Sequence, residues 1–399
     1  MPKILVLTSL FPNRVKPDLG IFIQKRITAY ARRKGCSIEV VAPVPYCPDL
    51  QLLRRFQHYS QVPLVENIGG ISVYHPRYFM IPKISMTFHG RLIYLCIRNY
   101  IKDLYKKFSF DIIDAHFIYP DCQAAVLLGE MLDVPVVVSA RGSDINQYIH
   151  YSSIKPQIAE TLRRASHVIS VCKALKEMML DLSAPDEKIT VIPNGIDEAR
   201  FFMLDKKQSK KKLGIDTSVS MILSVGALIP RKGHDITIHA VKKLVKINPA
   251  IKLFIIGSGP EESRLRALVN GLNLNPFVVF VGQIPNESLI TWYNAADLFC
   301  LSSDREGWPN VLTEALACGT PVVATRVFGA PEIVKNDSLG ILVDRTCEDI
   351  SGGISWGLEK TWDNRTISVK TSKRTWDRVA EECSQVFDEV IIRHQKEAD

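Results

Sequence analysis

Short apolar runs alternate with amphipathic stretches along the whole chain. KILVLTS (3–9) reads as a strand, residues 20–34 space their apolar positions as a helix does, and SIEVVAPV (37–44) reads as a second strand. FDIIDAH (110–116), VPVVVSA (134–140) and HVISVC (167–172) follow, with helical patterns between them. The second half repeats the scheme in SMILSVGAL (220–228), IKLFIIG (251–257), FVVFVG (277–282), DLFCLSS (297–303) and PVVAT (321–325). These runs are continuous and rich in Val, Ile and Phe, so they predict strands buried on both faces. Separated by helical segments of about 10–15 residues, they indicate parallel sheets with helices on either side. The expected class is α/β, with two doubly wound, Rossmann-like domains. Pro and Gly punctuate PNGIDEARF (193–201) and a polar run, 206–212, follows, so the domains are placed at 1–195 and 196–370. Trp376, Val379, Ala380, Cys383, Phe387 and Val390 recur at helical spacing and predict a helix within 371–399. Such helices often pack back on another domain; the first is the candidate, and periodicity alone leaves the partner open. A ligand is expected where strand ends of both domains face one gap.

A chain of 399 residues suits two cores rather than one. Apolar residues make up 46%, an ordinary globular share, and no stretch reaches the roughly 18 uninterrupted apolar positions of a membrane span. MPKILVLTSLFPN looks at first like a short signal peptide. It lacks a small-residue cleavage site and Pro12-Asn13 breaks it, so it is read as a buried strand. Nine cysteines without any C-x-x-C argue against a disulfide framework or a zinc site and for a reducing cytoplasm. Charge is uneven. The first 110 residues hold 17 Lys/Arg against 5 Asp/Glu, whereas the whole chain carries only +8. Arg32-Arg33-Lys34, Arg54-Arg55 and Lys106-Lys107 concentrate it. A solvated basic face and attraction to an anionic membrane surface both remain open. No nucleic-acid reader motif accompanies the charge, so nucleic acid is set aside as a partner.

EGWPNVLTEALACGTPVVAT (306–325) carries the densest chemistry. Pro309 suits the first turn of a helix and Gly319 its stop, which predicts a helix over about 309–318. Asn310 and Glu314 then share one face, while Leu312, Ala315 and Leu316 face the sheet. Glu306 stands just ahead of the helix, beside first-turn N–H groups that form an anion site. A phosphate on the backbone, flanked by hydroxyls on both carboxylates, would satisfy the segment, and a nucleotide sugar has that layout. Taken as a pair alone, Glu306 and Glu314 equally suit a solvated loop acid and a helix-surface residue.

GALIPRKG (226–233) also follows a buried strand and opens a helix, with Arg231 and Lys232 on the loop; two cations suit a diphosphate that must leave with its charge. GSGPEESRL (257–265) departs from the dinucleotide fingerprint, because Glu262 stands where a third glycine belongs, and reads as a tight turn. In the first half, DAHFIYPDC puts His116 at the end of a strand, on the cleft edge. Gly20, in KPDLGIF, would let the loop after the first strand approach a ligand, and ARGSDIN (140–146) places Gly142 and Asp144 after another strand. No D-x-D occurs, so no metal site is expected and charge neutralisation falls to Arg231 and Lys232.

Together these segments resemble the retaining glycosyltransferases of family 4, which have the GT-B fold. The likeness is strongest to the bacterial type that builds teichuronic acid and related surface polysaccharides. It covers nearly the whole chain and rests on the E-x7-E segment with ALACGTPVVAT, GALIPRKG, GSGPEE, VGQIPNESL, PNGID and DAHFIYP in the expected order. The resemblance implies that a nucleotide sugar, UDP- or GDP-linked, binds the second domain and a saccharide or lipid-linked acceptor the first. It implies that Arg231 and Lys232 grip the diphosphate, Glu314 the ribose hydroxyls and Glu306 hydroxyls of the transferred sugar. Backbone N–H groups near Asn310, Val311 and Leu312 would touch sugar or phosphate, the segment Gly282, Gln283, Ile284 would meet the base, His116 would lie beneath the reacting sugar, and Gly20 would border the phosphates. Configuration would be retained, with no cofactor or metal, at the inner face of the membrane. Relatives frequently carry His-Gly where this chain has Arg141-Gly142, and Ser where it has Cys172. Arg141 is thus either a fixed charge for a phosphate-bearing acceptor or a solvent-facing residue, and Asp144 a second acceptor contact. A sugar-nucleotide epimerase or phosphorylase, or a non-catalytic binding partner, are the alternative functions.

Overall fold

The computed structural model describes residues 2–33, 35–46, 57–81 and 85–398. Lys34, Arg54 and Arg55 of the basic clusters lie outside the described residues. Two compact units divide the chain, residues 1–195 with 376–399 (unit 1) and 196–375 (unit 2).

Unit 1 contains β1 (Lys3–Leu7), β2 (Ser37–Val41), β3 (Val44–Pro45), β4 (Val65–Ile68), β5 (Ile71–Tyr74), β6 (Arg77–Tyr78), β7 (Ile112–His116), β8 (Val136–Ala140), β9 (His167–Ser170) and β10 (Ile189–Val191). Eight of them form one sheet in the order β10-β9-β8-β7-β1-β2-β5-β4, and β3 pairs with β6 separately. The eight-stranded sheet is parallel except for the β4–β5 hairpin, which turns on Gly69 and Gly70 at positive φ. The strand expected over 37–44 ends at Val41, and Pro43, which offers no N–H to a ladder, separates it from β3. The helix Ile21–Ala31 buries Ile23, Ile27 and Tyr30 on one face, at helical spacing. Against it packs the helix Trp376–Ala398, where Phe387 stacks on Tyr30 at 5.4 Å and Val379, Ala380, Cys383 and Val390 are buried.

Unit 2 holds β11 (Ser220–Val225), β12 (Ile251–Ile256), β13 (Val278–Gly282), β14 (Leu298–Leu301), β15 (Val322–Thr325) and β16 (Gly340–Val343). All are parallel, in the order β13-β12-β11-β14-β15-β16. The chain winds outward from β11 on one side and from β14 on the other. The loops after β11 and β14 therefore part to opposite faces at their shared carboxyl end, the position at which doubly wound sheets bind ligands. In unit 1 the same switch falls between β1 and β7.

Candidate active site

In unit 2, the loop after β11 carries Arg231 and Lys232 in a single turn of 3-10 helix, Pro230–Lys232. Gly233 closes that turn at φ +66°, and a Cβ there would stand 2.2 Å from the Ser302 carbonyl oxygen, so only glycine lets the two switch-point loops touch. Ser302 Oγ bonds the Lys232 and Gly233 carbonyls at 3.0 and 2.8 Å, and Arg345 Nε donates to the Ser302 carbonyl at 3.0 Å. Stitched in this way, the loops bring Glu306 beneath both cations. Lys232 Nζ lies 2.5 Å from Glu306 Oε1, Arg231 Nη1 3.4 Å from Oε2, and Ser303 Oγ donates to Oε1 at 2.7 Å. Arg231 Nη1 also donates to the Arg305 carbonyl at 2.8 Å. Burial alone would raise the Glu306 pKa, but the Lys232 and Arg231 charges outweigh it and hold the carboxyl below its usual range. Glu306 is only 8% exposed, so it is not a solvated loop acid.

The helix of the E-x7-E segment runs Asn310–Ala317, with Leu312, Ala315 and Leu316 in the core. Pro309 caps it rather than occupying its first position. The Pro309 carbonyl accepts the Leu312 N–H at 3.0 Å, which corrects the expectation that Leu312 offers its amide to a ligand. Asn310 and Val311 are half-buried on the turn before it. Glu314 Oε2 accepts the hydroxyl of the fully buried Tyr293 at 2.8 Å, which aims the carboxylate. Burial first, and the Glu314 charge next, push the Tyr293 phenol well above its usual value. Gly257 and Gly259 lie against the Gly226 and Leu228 carbonyls, where a Cβ would come within 2.0 and 2.4 Å. GSGPEE is accordingly a turn packed on the β11 loop. After β13, Gly282 has φ +83°, the exposed Gln283 accepts from Ser258 Oγ at 3.1 Å, and Ile284 packs against the core.

In unit 1, His116 ends β7, and its side chain is fully buried. Arg141 Nη2 donates to its Nδ1 at 2.5 Å, and its Nε2 lies 3.3 Å from Asp114 Oδ2. Burial, with Arg141 adding to it and Asp114 opposing it, drives the His116 pKa down to about 3, so the imidazole is neutral. Asp114 is gripped by Arg26 Nη2 at 2.9 and 3.1 Å. Arg141 Nη1 donates to Asn194 Oδ1 at 3.3 Å, so the half-buried Arg141 is held by fixed partners rather than pointing freely into solvent. Asp144 is also buried: its oxygens accept the N–H groups of Ile118, Arg141 and Gly142 at 2.8, 3.0 and 2.6 Å. That use of the carboxylate corrects its expected contact with an acceptor; it shapes the loop. Gly20, at φ +65°, abuts the Leu10 carbonyl, where a Cβ would stand at 2.1 Å, and so folds the β1 loop upon itself.

Arg26, Asp114, Asp121, Tyr293 and Ser303 escaped the sequence reading. Asp121 ties the loops at the unit 1 switch point, accepting Ser9 N and Oγ at 2.5 and 2.8 Å, and burial raises its pKa to about 7. Of these only Asp114 had a signal, since residues i and i+2 of a strand share a face and Asp114 stands so to His116. Among the described residues no group of three His, Cys, Asp or Glu side chains is placed to hold a metal ion, and no helix is long and apolar enough to cross a membrane.

Comparison with known proteins places the chain in a family. The family model for glycosyl transferases group 1 matches residues 205–374, and that for glycosyltransferase family 4 matches residues 25–200. A Bacillus subtilis protein named as a teichuronic acid biosynthesis glycosyltransferase, TuaC, is 32% identical over 369 residues, covering 90% of each chain. The chain is a family 4 glycosyltransferase. Solved structures agree on the fold of this transferase. Sucrose-phosphate synthase from Thermosynechococcus elongatus superposes with a TM-score of 0.77 at 20% identity, covering 98% of this chain and all of the other. Anabaena HepE in complex with UDP gives 0.73 at 19% identity, covering 98% and 100%. Both units of the transferase thus follow the GT-B pattern of two Rossmann-like parallel sheets.

Proposed function

We propose that the transferase moves a sugar from a nucleoside diphosphate sugar, UDP- or GDP-linked, to a hydroxyl of a saccharide, with retention at the anomeric carbon. The observation that carries this reading is the Arg231–Glu306–Lys232 cluster at the unit 2 switch point. Its two cations lie on a loop at the carboxyl end of the sheet, where a diphosphate meets fixed positive charge without a metal. Glu306, beside them, accepts hydroxyls of the transferred sugar. Glu314, aimed by Tyr293, accepts those of the ribose, and the backbone of Gly282, Gln283 and Ile284 meets the base. Bond by bond, the acceptor oxygen attacks the anomeric carbon on the face the diphosphate leaves. The C–O bond to phosphate breaks, its electron pair stays on the diphosphate, and the acceptor proton passes to that departing oxygen. Arg231 and Lys232 stabilise the charge as it forms.

The acceptor occupies unit 1 and is part of a lipid-linked surface polysaccharide; the name of the Bacillus relative, with its teichuronic acid biosynthesis, supports the polysaccharide class. Residence at the inner membrane face is supported by the helix His89–Phe108. Arg91, Arg98, Lys102 and Lys106 share its exposed face with Leu95, beside the exposed Phe88. Incubation with UDP- and GDP-sugars, with and without saccharide acceptor, tests the proposal. Acceptor-dependent release of nucleoside diphosphate supports it; conversion of the donor to an isomeric nucleotide sugar without acceptor favours an epimerase, and binding without any conversion a non-catalytic partner.

A further inference from the structure

Arg141 begins the loop after β8, one strand from the unit 1 switch point. Its two terminal nitrogens donate to neutral groups, the His116 imidazole and the Asn194 amide, and its Nε is buried with no partner among the described residues. The carboxylates nearby are committed elsewhere. Arg26 takes Asp114 with a two-point grip, and Asp144 spends its oxygens on three backbone N–H groups. Burial, and the neighbouring Arg26 charge after it, lower the Arg141 pKa to about 9. A guanidinium partly drawn out of water next to another cation is costly unless an anion completes it. Its planar fork matches a carboxylate or a phosphate.

We propose that Arg141 binds an anionic substituent, a phosphate or a carboxylate, on the substrate held in unit 1, and that His116 is the residue that positions it. The inference rests on the reading that unit 1 takes a substrate of sugar transfer. The anion belongs to the acceptor, either as a phosphate or as the carboxylate of a uronic acid unit in its saccharide. His116 acts on it by accepting from Nη2, which turns the fork.

The experiment compares wild type, Arg141→Gln and Arg141→Lys. Each is assayed with acceptors bearing or lacking a phosphate and with acceptors ending in a uronic acid or in a neutral hexose. Wild type is expected to favour the anionic member of one pair by about 10- to 100-fold in kcat/KM, the scale of a hydrogen bond to a charged group. That pair identifies the source of the anion. Arg141→Gln should abolish the preference, and Arg141→Lys, which keeps a cation without the fork, should retain part of it. An unchanged preference in Arg141→Gln, or a wild type that favours the neutral member of both pairs, overturns the proposal. If Arg141→Gln melts early, Arg141→Lys decides: reduced preference supports, full preference overturns. A binding arm needs no turnover. Titration of glycerol 1-phosphate and of glucuronate into Lys232→Ala, with and without Arg141→Gln, should show about tenfold weaker binding of one of them when Arg141 is removed. No transfer with any donor would defeat the functional reading, while equal binding in this arm would defeat the role of Arg141. For His116→Ala, a raised KM confined to the anionic substrate supports positioning, and equal losses for anionic and neutral substrates refute it.

Discussion

In a Lys232→Ala variant, Glu306 stays buried and loses its nearest cation. The lost contact is 2.5 Å long, and what remains is Arg231 at 3.4 Å and Ser303 at 2.7 Å. Removing one partner of a fully buried ion pair costs about 3–5 kcal/mol. Arg231 and Ser303 remain, and the Lys232 side chain is 14% exposed, so the expected loss is about 1–3 kcal/mol. For a unit of this size that lowers Tm by about 3–10 °C. Turnover should fall by about 10²–10³, the usual effect of deleting one donor to developing charge. The pH dependence has a definite sign. A carboxyl whose folded pKa is depressed adds stability above its unfolded pKa, and that stability is lost as pH falls through the folded value. Without Lys232 the folded pKa of Glu306 moves up. The deficit of the variant should therefore be full at neutral pH and should narrow as acid protonates Glu306. Nucleoside diphosphate release and thermal melts at pH 7.5 and in acid read all three effects. Wild-type turnover together with an unshifted melt would remove Lys232 from both mechanism and architecture.

Tyr293→Phe deletes the 2.8 Å bond that aims Glu314; donor KM should rise about tenfold with kcat nearly constant, and an unchanged KM would detach Glu314 from the nucleotide. Activity should survive a metal chelator, because Arg231 and Lys232 supply the positive charge; a strict magnesium requirement in the same assay would show that they do not suffice. The protein should sediment with anionic vesicles, less so as salt rises, and Leu95→Glu combined with Lys102→Glu should weaken that binding. Equal sedimentation with neutral vesicles would locate the basic residues on a merely solvated face.

The buried strands were legible because each is a continuous apolar run, and β11, β12, β14 and β15 fall inside the segments read as strands. The β4–β5 hairpin was missed. VENI alternates exposed and half-buried positions, and its Asn-Ile-Gly-Gly-Ile turn lacks an apolar run on its first side. A strand ending at Val41 and resuming at Val44 was foreseeable from Pro43. At the candidate site, position was readable and pairing was not. Arg231, Lys232 and Glu306 were each placed on loops after buried strands, but the contact joining residues 232 and 306 spans 74 positions and follows only from β11 and β14 being neighbours. His116 shows the limit most plainly. Its strand position was visible, whereas its surroundings depend on Arg141, which reaches it from the loop after β8, and on Asp114, which Arg26 holds from another element.

The helix Trp376–Ala398 belongs to unit 1, although all of unit 2 precedes it in the chain. During synthesis, Tyr30 and the apolar face of the helix Ile21–Ala31 must wait uncovered while some 350 further residues leave the ribosome before Phe387 arrives to stack on Tyr30. Unit 2, continuous from 196 to 375, has no such delay. The half of the protein made first is thus completed last, and a nascent chain halted before residue 376 would hold a finished second unit beside a first one still missing part of its core.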